Sequence, residues 1–160
     1  MKELIMLTGM PGCGKSTFRA PYDAVTISSD DFIEAFARNN GITYNEAWKD
    51  CVKTAERAMY ARLEQLIAKE SSHIVWDQTN LTPASRIAKL NRFNQAGGKE
   101  YRKISIFFEP NYSLTLARNE QRREFGRALP ISTLEDMSLQ ITRPTKVEGF
   151  DYVLVVPDYE

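Results

Sequence analysis

Short apolar runs alternate along this chain with longer stretches in which apolar residues recur every three or four positions. The short runs predict strands over 3–8, 24–28, 73–77, 102–109 and 152–156. The periodic stretches predict helices near 15–19, 31–39, 44–70, 83–96, 112–123 and 131–142. Gly97-Gly98 stops the fourth of these, and Pro144 follows the last. Such alternation reads as a parallel α/β sheet. In the long middle helix, Tyr44, Trp48, Val52, Ala55, Met59, Leu63 and Leu66 predict a core-facing stripe. Lys49, Lys53 and Arg57 form a second line along the same helix. It is either a solvated face paired with Glu46, Asp50 and Glu56 or a contact line for an anionic acceptor. No internal repeat, low-complexity tract or linker interrupts the pattern, and 160 residues fit one domain over 1–160.

Between the first strand and the helix expected after it lies GMPGCGKST, residues 9–17. It matches G-x-x-x-x-G-K-[ST] through Gly9, Gly14, Lys15 and Ser16, in the strand–loop–helix context the motif requires. Glycines at 9, 12 and 14 let successive N–H groups of the Gly9–Thr17 loop, Pro11 and Cys13 included, wrap a phosphate chain. The following helix N-terminus adds partial positive charge. Lys15 is expected to reach the β- and γ-phosphates, and the Ser16 hydroxyl, followed by Thr17, to ligate Mg²⁺. ATP and Mg²⁺ are therefore the expected ligands. The expected fold is a P-loop NTPase-type three-layer sandwich: a five-stranded, mainly parallel sheet flanked by helices, with an arginine-bearing lid.

Three further groups carry chemistry. The second strand ends in Ser28-Ser29-Asp30-Asp31, and strand carboxyl ends face the ligand crevice of an open α/β sheet. A hydroxyl acceptor needs an oriented base, which assigns catalysis to Asp30 and helix capping or support to Asp31. The third strand, Ile74-Val75-Trp76-Asp77, is an apolar run closed by an acid, a pattern that holds Mg²⁺ directly or through water. Its acid, Asp77, is the second expected metal residue, in either a direct or a supporting role. Late in the chain, LARNEQRREFGRALP gathers Arg118, Arg122, Arg123 and Arg127, with Gly126 and Pro130 breaking the segment into a loop. A closing lid of this kind neutralises charge on a transferring phosphoryl group. Arg143 and Lys146 flank Pro144 on the side expected for the nucleotide base.

Basic and acidic residues number 21 each, so the net charge is zero and a protein that coats nucleic acid is excluded, though a local basic groove is not. Cys13 and Cys51 make no disulfide framework, and Cys13 inside the phosphate loop points to a reducing compartment. With no signal peptide and no apolar run near a membrane span, a cytoplasmic protein without a membrane partner is expected. His73, the single histidine, opens a strand and is expected to be structural.

GMPGCGKSTF, ISSDDF, VWDQTNLT and RNEQRREFGRALPISTLEDM, taken in order, resemble the kinase domain of polynucleotide 5′-hydroxyl kinases from phage and bacterial end-healing systems. The likeness runs from the phosphate loop to the closing EGFDYVLVV. It implies transfer of the ATP γ-phosphate to a 5′-hydroxyl end of RNA or DNA. Lys15 and Ser16 then hold phosphates and Mg²⁺, Asp30 accepts the hydroxyl proton, and Arg122 touches the transferring phosphate, with Arg127 as second candidate. The resemblance departs at Ile33, where relatives often carry an arginine that grips the acceptor phosphate. That grip is then to be sought at Arg38 or along Lys49, Lys53 and Arg57. No Asp-x-Asp-x-Thr phosphatase motif follows, so 3′-phosphate removal and ligation are expected of separate partners. The sequence marks no oligomer interface. Two other classes fit the same loop: a kinase for a sugar acid, nucleoside or antibiotic hydroxyl, and a nucleotide-binding switch that transfers nothing. The acid pair at 30–31 speaks against the switch, which needs no acceptor base.

Overall fold

Alternate residues of the first strand enter opposite halves of the core. Leu4 and Met6 pack with Trp76, Leu63 and Phe93 on one face, while Ile5 and Leu7 pack with Val75, Ile106 and Phe108 on the other. A strand buried on both faces belongs at the centre of a parallel sheet. The computed structural model describes residues 1–15, 18 and 23–157. It contains β1 (Glu3–Thr8), β2 (Val25–Ile27), β3 (His73–Asp77), β4 (Arg102–Phe108) and β5 (Tyr152–Val156). They form one sheet in the order β2-β3-β1-β4-β5. Every pairing is parallel, so the mainly parallel sheet expected is wholly parallel.

The helices are α1 (Asp30–Asn40), α2 (Tyr44–Ala68), α3 (Pro83–Phe93), α4 (Tyr112–Arg122) and α5 (Ile131–Gln140). Thr43 caps α2, Thr82 caps α3 ahead of a proline in its first turn, and Asn111 caps α4, each through its side chain. A single π turn, Asn94–Gly98, follows α3, and a 3₁₀ turn, Arg123–Phe125, follows α4. The helix expected over 15–19 falls mostly outside the described residues. Among the described residues no helix is long and apolar enough to cross a membrane.

Two expectations need correction. In its first half the core stripe of α2 does not run through Trp48 and Val52, although Tyr44 packs against it and Ala55 belongs to it as expected. Ala47, Cys51 and Ala55 are buried there, against Ile33 and Ala37 of α1, while Trp48 is 48% exposed. Small side chains let α1 approach α2 closely, and that contact decides which face turns inward. The second correction concerns Asp31, which is not a helix cap. Ser29 occupies that position without a side-chain cap bond, and both Asp30 and Asp31 lie in the first turn of α1. There they favour the helix dipole.

Candidate functional site

The phosphate loop leaves the carboxyl end of β1, the middle strand. Gly12 and Gly14 take φ of +75° and +99°, a region that side-chain-bearing residues rarely adopt. The Gly9 N–H donates to the Thr79 carbonyl at 3.1 Å, which stitches the loop to the segment after β3. Lys15 Nζ donates to the Gly9 carbonyl at 2.9 Å. Burial pushes the Lys15 ammonium pKa down from its usual value; Cys13, Asp77 and Asp30 act upward and Arg122 downward. The Cys13 thiol is pushed up, first by burial. Ser16 and Thr17 lie outside the described residues.

Two acids, Asp77 and Asp30, act on this lysine, and Asp31 acts on Asp77. Asp77 ends β3, and its pKa is raised by burial above all; Lys15 opposes the shift, while Asp30 and Asp31 add to it. The Asp31 pKa is raised by burial and by the charges of Glu34 and Asp30. The Asp30 carboxylate accepts a hydrogen bond from the Tyr44 hydroxyl at the start of α2. Burial, the Asp30 hydrogen bond and the Asp30 charge together drive the Tyr44 phenol far above its normal range. Tyr44 therefore orients Asp30 besides lining the α1–α2 contact, a role that its place in an apolar stripe concealed.

The four arginines of the late segment part company. Arg118 donates to the Gly12 carbonyl and lies against the phosphate loop. Arg122, half-buried, has its pKa lowered by burial first and by Arg127, while Asp30, Tyr44 and Cys13 act upward. It stands within the field of both Asp30 and the phosphate-loop residue Cys13, with no direct ion pair among the described residues. Arg123 turns outward onto Glu120 at 3.0 Å. Arg127 pairs with Glu34 at 2.7 Å and lies over the Tyr44 ring at 4.5 Å. The segment is pinned to its surroundings by paired bonds of 2.9 Å between Asn119 and the Leu129 backbone, and by Asn45 to the Ala128 carbonyl at 2.9 Å.

Two cavities open near the carboxyl ends of the strands, and the loop lines the first of them. One, of about 190 Å³, lies between Gly12, Cys13 and Gly14, the ends of β4 and β5, and Thr115 and Arg118 of α4. Arg143 pairs with Glu109 on its rim at 2.9 Å, whereas Lys146 is exposed. The other, of about 320 Å³, lies between α2 and α3. Lys49, Lys53, Arg57 and Arg38 are all exposed, and Ile33 is fully buried. His73 sits at the opposite end of the sheet, between Asp23 at 2.8 Å and Glu3 at 3.2 Å. Sequence reasoning missed Asn80, which takes a left-handed φ of +49°. It donates to the Leu7 carbonyl at 2.8 Å and accepts from Lys89.

The donor set suits a hard divalent cation. The charges of Asp30 and Asp31 add to the raised pKa of the partly buried Asp77, a repulsion that a divalent cation would relieve. Among the described residues no three acidic, histidine or cysteine side chains form a protein-only cage. Mg²⁺ typically takes one or two carboxylates and completes its shell with phosphates and water.

A parallel sheet in this order, with a glycine-rich loop and lysine at the end of its middle strand, defines a P-loop kinase-like α/β protein. The chain belongs to the AAA domain family, whose model matches residues 4–144. No curated protein matches it significantly. Its fold is similar to that of a candidate kinase from Chloroflexus aurantiacus, with 21% identity, a TM-score of 0.71, and coverage of 98% of this chain and 85% of that one. A chain of the Pnkp1/Rnl/Hen1 RNA repair complex matches with 18% identity and a TM-score of 0.60, over 87% of this chain and 43% of its own. Kti12 from Chaetomium thermophilum, solved with ADP-AlF3, matches with 14% identity and a TM-score of 0.56, over 96% of this chain and 88% of its own. At these identities the likeness is one of fold.

Proposed function

We propose that this protein is a single-domain, ATP- and Mg²⁺-dependent kinase that transfers the γ-phosphate to the 5′-hydroxyl end of RNA or DNA. One observation carries the reading. Asp30, its carboxylate held by Tyr44, acts on the same lysine as Asp77 and Arg122 do. An acid fixed in this way, facing the phosphate loop, is what a hydroxyl acceptor requires and a switch does not. The four sequence blocks, in order, favour a polynucleotide end as the acceptor. The donor nucleoside is assigned to the cavity at Gly12 and Arg118.

In this reading Asp30 accepts the proton of the attacking hydroxyl, whose oxygen bonds to the γ-phosphorus as the bond to the β-γ bridging oxygen breaks. Lys15 and Arg122 neutralise the charge that spreads over the phosphoryl oxygens. Arg127 acts one step back: bound to Glu34 and stacked on Tyr44, it fixes the tyrosine and the lid. Mg²⁺, held by Asp77 and Ser16, supplies charge neutralisation on the donor phosphates when bound. The buried Ile33 favours the second reading, a small hydroxyl metabolite as acceptor.

The test is an acceptor panel with labelled ATP: a single-stranded 5′-hydroxyl oligonucleotide, its 5′-phosphorylated counterpart, nucleosides, and sugar acids. Label on the first oligonucleotide and not on the second is expected. Label confined to nucleosides or sugar acids would replace the polynucleotide reading with the metabolite one.

A further inference from the structure

The cavity between α2 and α3 has on its wall the residue that follows Asp77. That residue, Gln78, donates to Ser29 Oγ at 3.2 Å, next to Asp30. Trp76 fixes that side chain by donating to Gln78 Oε1 at 3.2 Å. Glu56 and Tyr60 of α2 face Ser85 and Lys89 of α3 across the space. The donor cavity lies along the phosphate loop, toward β4 and β5. Two cavities, one lined by the phosphate loop and one that Gln78 joins to β3 and Ser29, have the layout of a donor site and an acceptor site.

Lys89 is the cation on this wall. Its ammonium donates to Asn80 Oδ1, a neutral acceptor that is itself buried, and stands 5.8 Å from the Trp76 ring centroid. Glu56 attracts it from α2 and Lys15 repels it from the phosphate loop, yet no direct ion pair to it exists among the described residues. Burial brings its pKa down to about 8. Such a charge is held ready for an anion, since a lysine ammonium offers three donors and Asn80 takes one. The other basic residues open to this role, Arg38, Lys49, Lys53 and Arg57, are exposed and do not line the cavity. At its edge, Arg92 covers the Tyr60 ring at 3.5 Å.

We infer that this cavity is the acceptor site and that Lys89 binds an anionic group of the acceptor, a phosphate ester carried beside the reacting hydroxyl. The inference rests on the kinase reading above. For a polynucleotide end, the group is the phosphate joining the first nucleoside to the second. Lys89 is then a binding and specificity residue, not a participant in bond making, and its loss raises KM for the acceptor and spares kcat.

Adenosine 3′-monophosphate and adenosine serve as paired acceptors for wild type, Lys89→Gln and Lys89→Arg, with KM for ATP as the check on folding. Wild type is expected to show a KM about 10- to 100-fold lower for the phosphorylated acceptor, the range of a charged hydrogen bond. Lys89→Gln erases that difference, and Lys89→Arg keeps most of it, with KM for ATP unchanged in both. The wild-type advantage fades as pH rises through about 8, where Lys89, its pKa brought down first by burial and then by Lys15 against the pull of Glu56, loses its proton, and persists in Lys89→Arg. Equal use of both acceptors by wild type, or an unaltered acceptor KM in Lys89→Gln, would overturn the assignment and leave the kinase reading standing. No transfer to any 5′-hydroxyl overturns the kinase reading, and this one with it.

Discussion

Asp30, the base of the proposed reaction, meets a phenol at the start of α2. The Tyr44 hydroxyl donates to its carboxylate, and Arg127 packs on the face of the same ring. A carboxylate so held spends less freedom on reaching a reactive orientation. Tyr44→Phe removes one hydrogen bond to a charged group and is expected to lower kcat about 10-fold, roughly 1.5 kcal/mol, with KM for ATP unchanged. A variant with full kcat would show that Asp30 needs no such support. Glycine at 12 and 14 was legible in the sequence because the loop's backbone torsions there demand it. The role of Tyr44 was not, since an aromatic residue at helical spacing fits a core stripe equally well and its partner lies 14 residues away. Lys89 gave no signal either: its surroundings are assembled from β3, α2 and the turn at Asn80.

At the scale of elements, strand and helix positions were legible almost throughout, because each carries its own period and its own stop signals. β1, β3 and β5 occupy the predicted ranges 3–8, 73–77 and 152–156. The facing of α2 was legible from Ala55 to Leu66 but not in its first half, because small residues opposite α1 outweigh the larger Trp48. The late arginines show the same limit. Adjacent residues on a helix turn about 100° apart, so Arg122 and Arg123 cannot both face the crevice. Arg122 lies under the influence of Asp30, and Arg123 bonds Glu120 in solvent. Arg122→Ala is expected to cut kcat about 100-fold or more, in the range of losing an electrostatic donor to a transition state. Arg123→Ala should stay within about twofold of wild type, as solvent-exposed ion pairs contribute little. Steady-state kinetics of the two variants decide between them, and the reverse pattern would shift the lid register by one residue.

Across the whole molecule, one buried cation ties the site to the frame. Arg86 is fully buried, pairs through Nε with Glu148 at 2.6 Å and through Nη2 at 3.0 Å, and donates to the carbonyls of Asn80, Leu81 and Thr142. It thereby joins α3, the turn after β3 and the approach to β5, partners as much as 62 residues apart that no local pattern connects. Arg86→Met leaves the Glu148 carboxylate buried and uncompensated, expected to cost about 3–5 kcal/mol. In a chain of this length that corresponds to a fall in Tm of roughly 10 °C. Adding Glu148→Leu is expected to restore most of the loss, since a buried pair replaced on both sides is often nearly neutral. Thermal unfolding of the two variants tests this, and an unshifted Tm in Arg86→Met would remove the pair from the frame.

The central claim is that a phosphate loop and an opposed acceptor base together move a phosphoryl group onto a 5′-hydroxyl end. Transfer of labelled γ-phosphate to a 5′-hydroxyl oligonucleotide, measured beside ATP binding in wild type and Asp30→Asn, tests it most directly. Wild type is expected to label the oligonucleotide, and Asp30→Asn to lose transfer by about 100-fold or more while binding ATP as tightly. Unimpaired transfer by Asp30→Asn, or ATP binding by wild type without label on the oligonucleotide, would contradict the account.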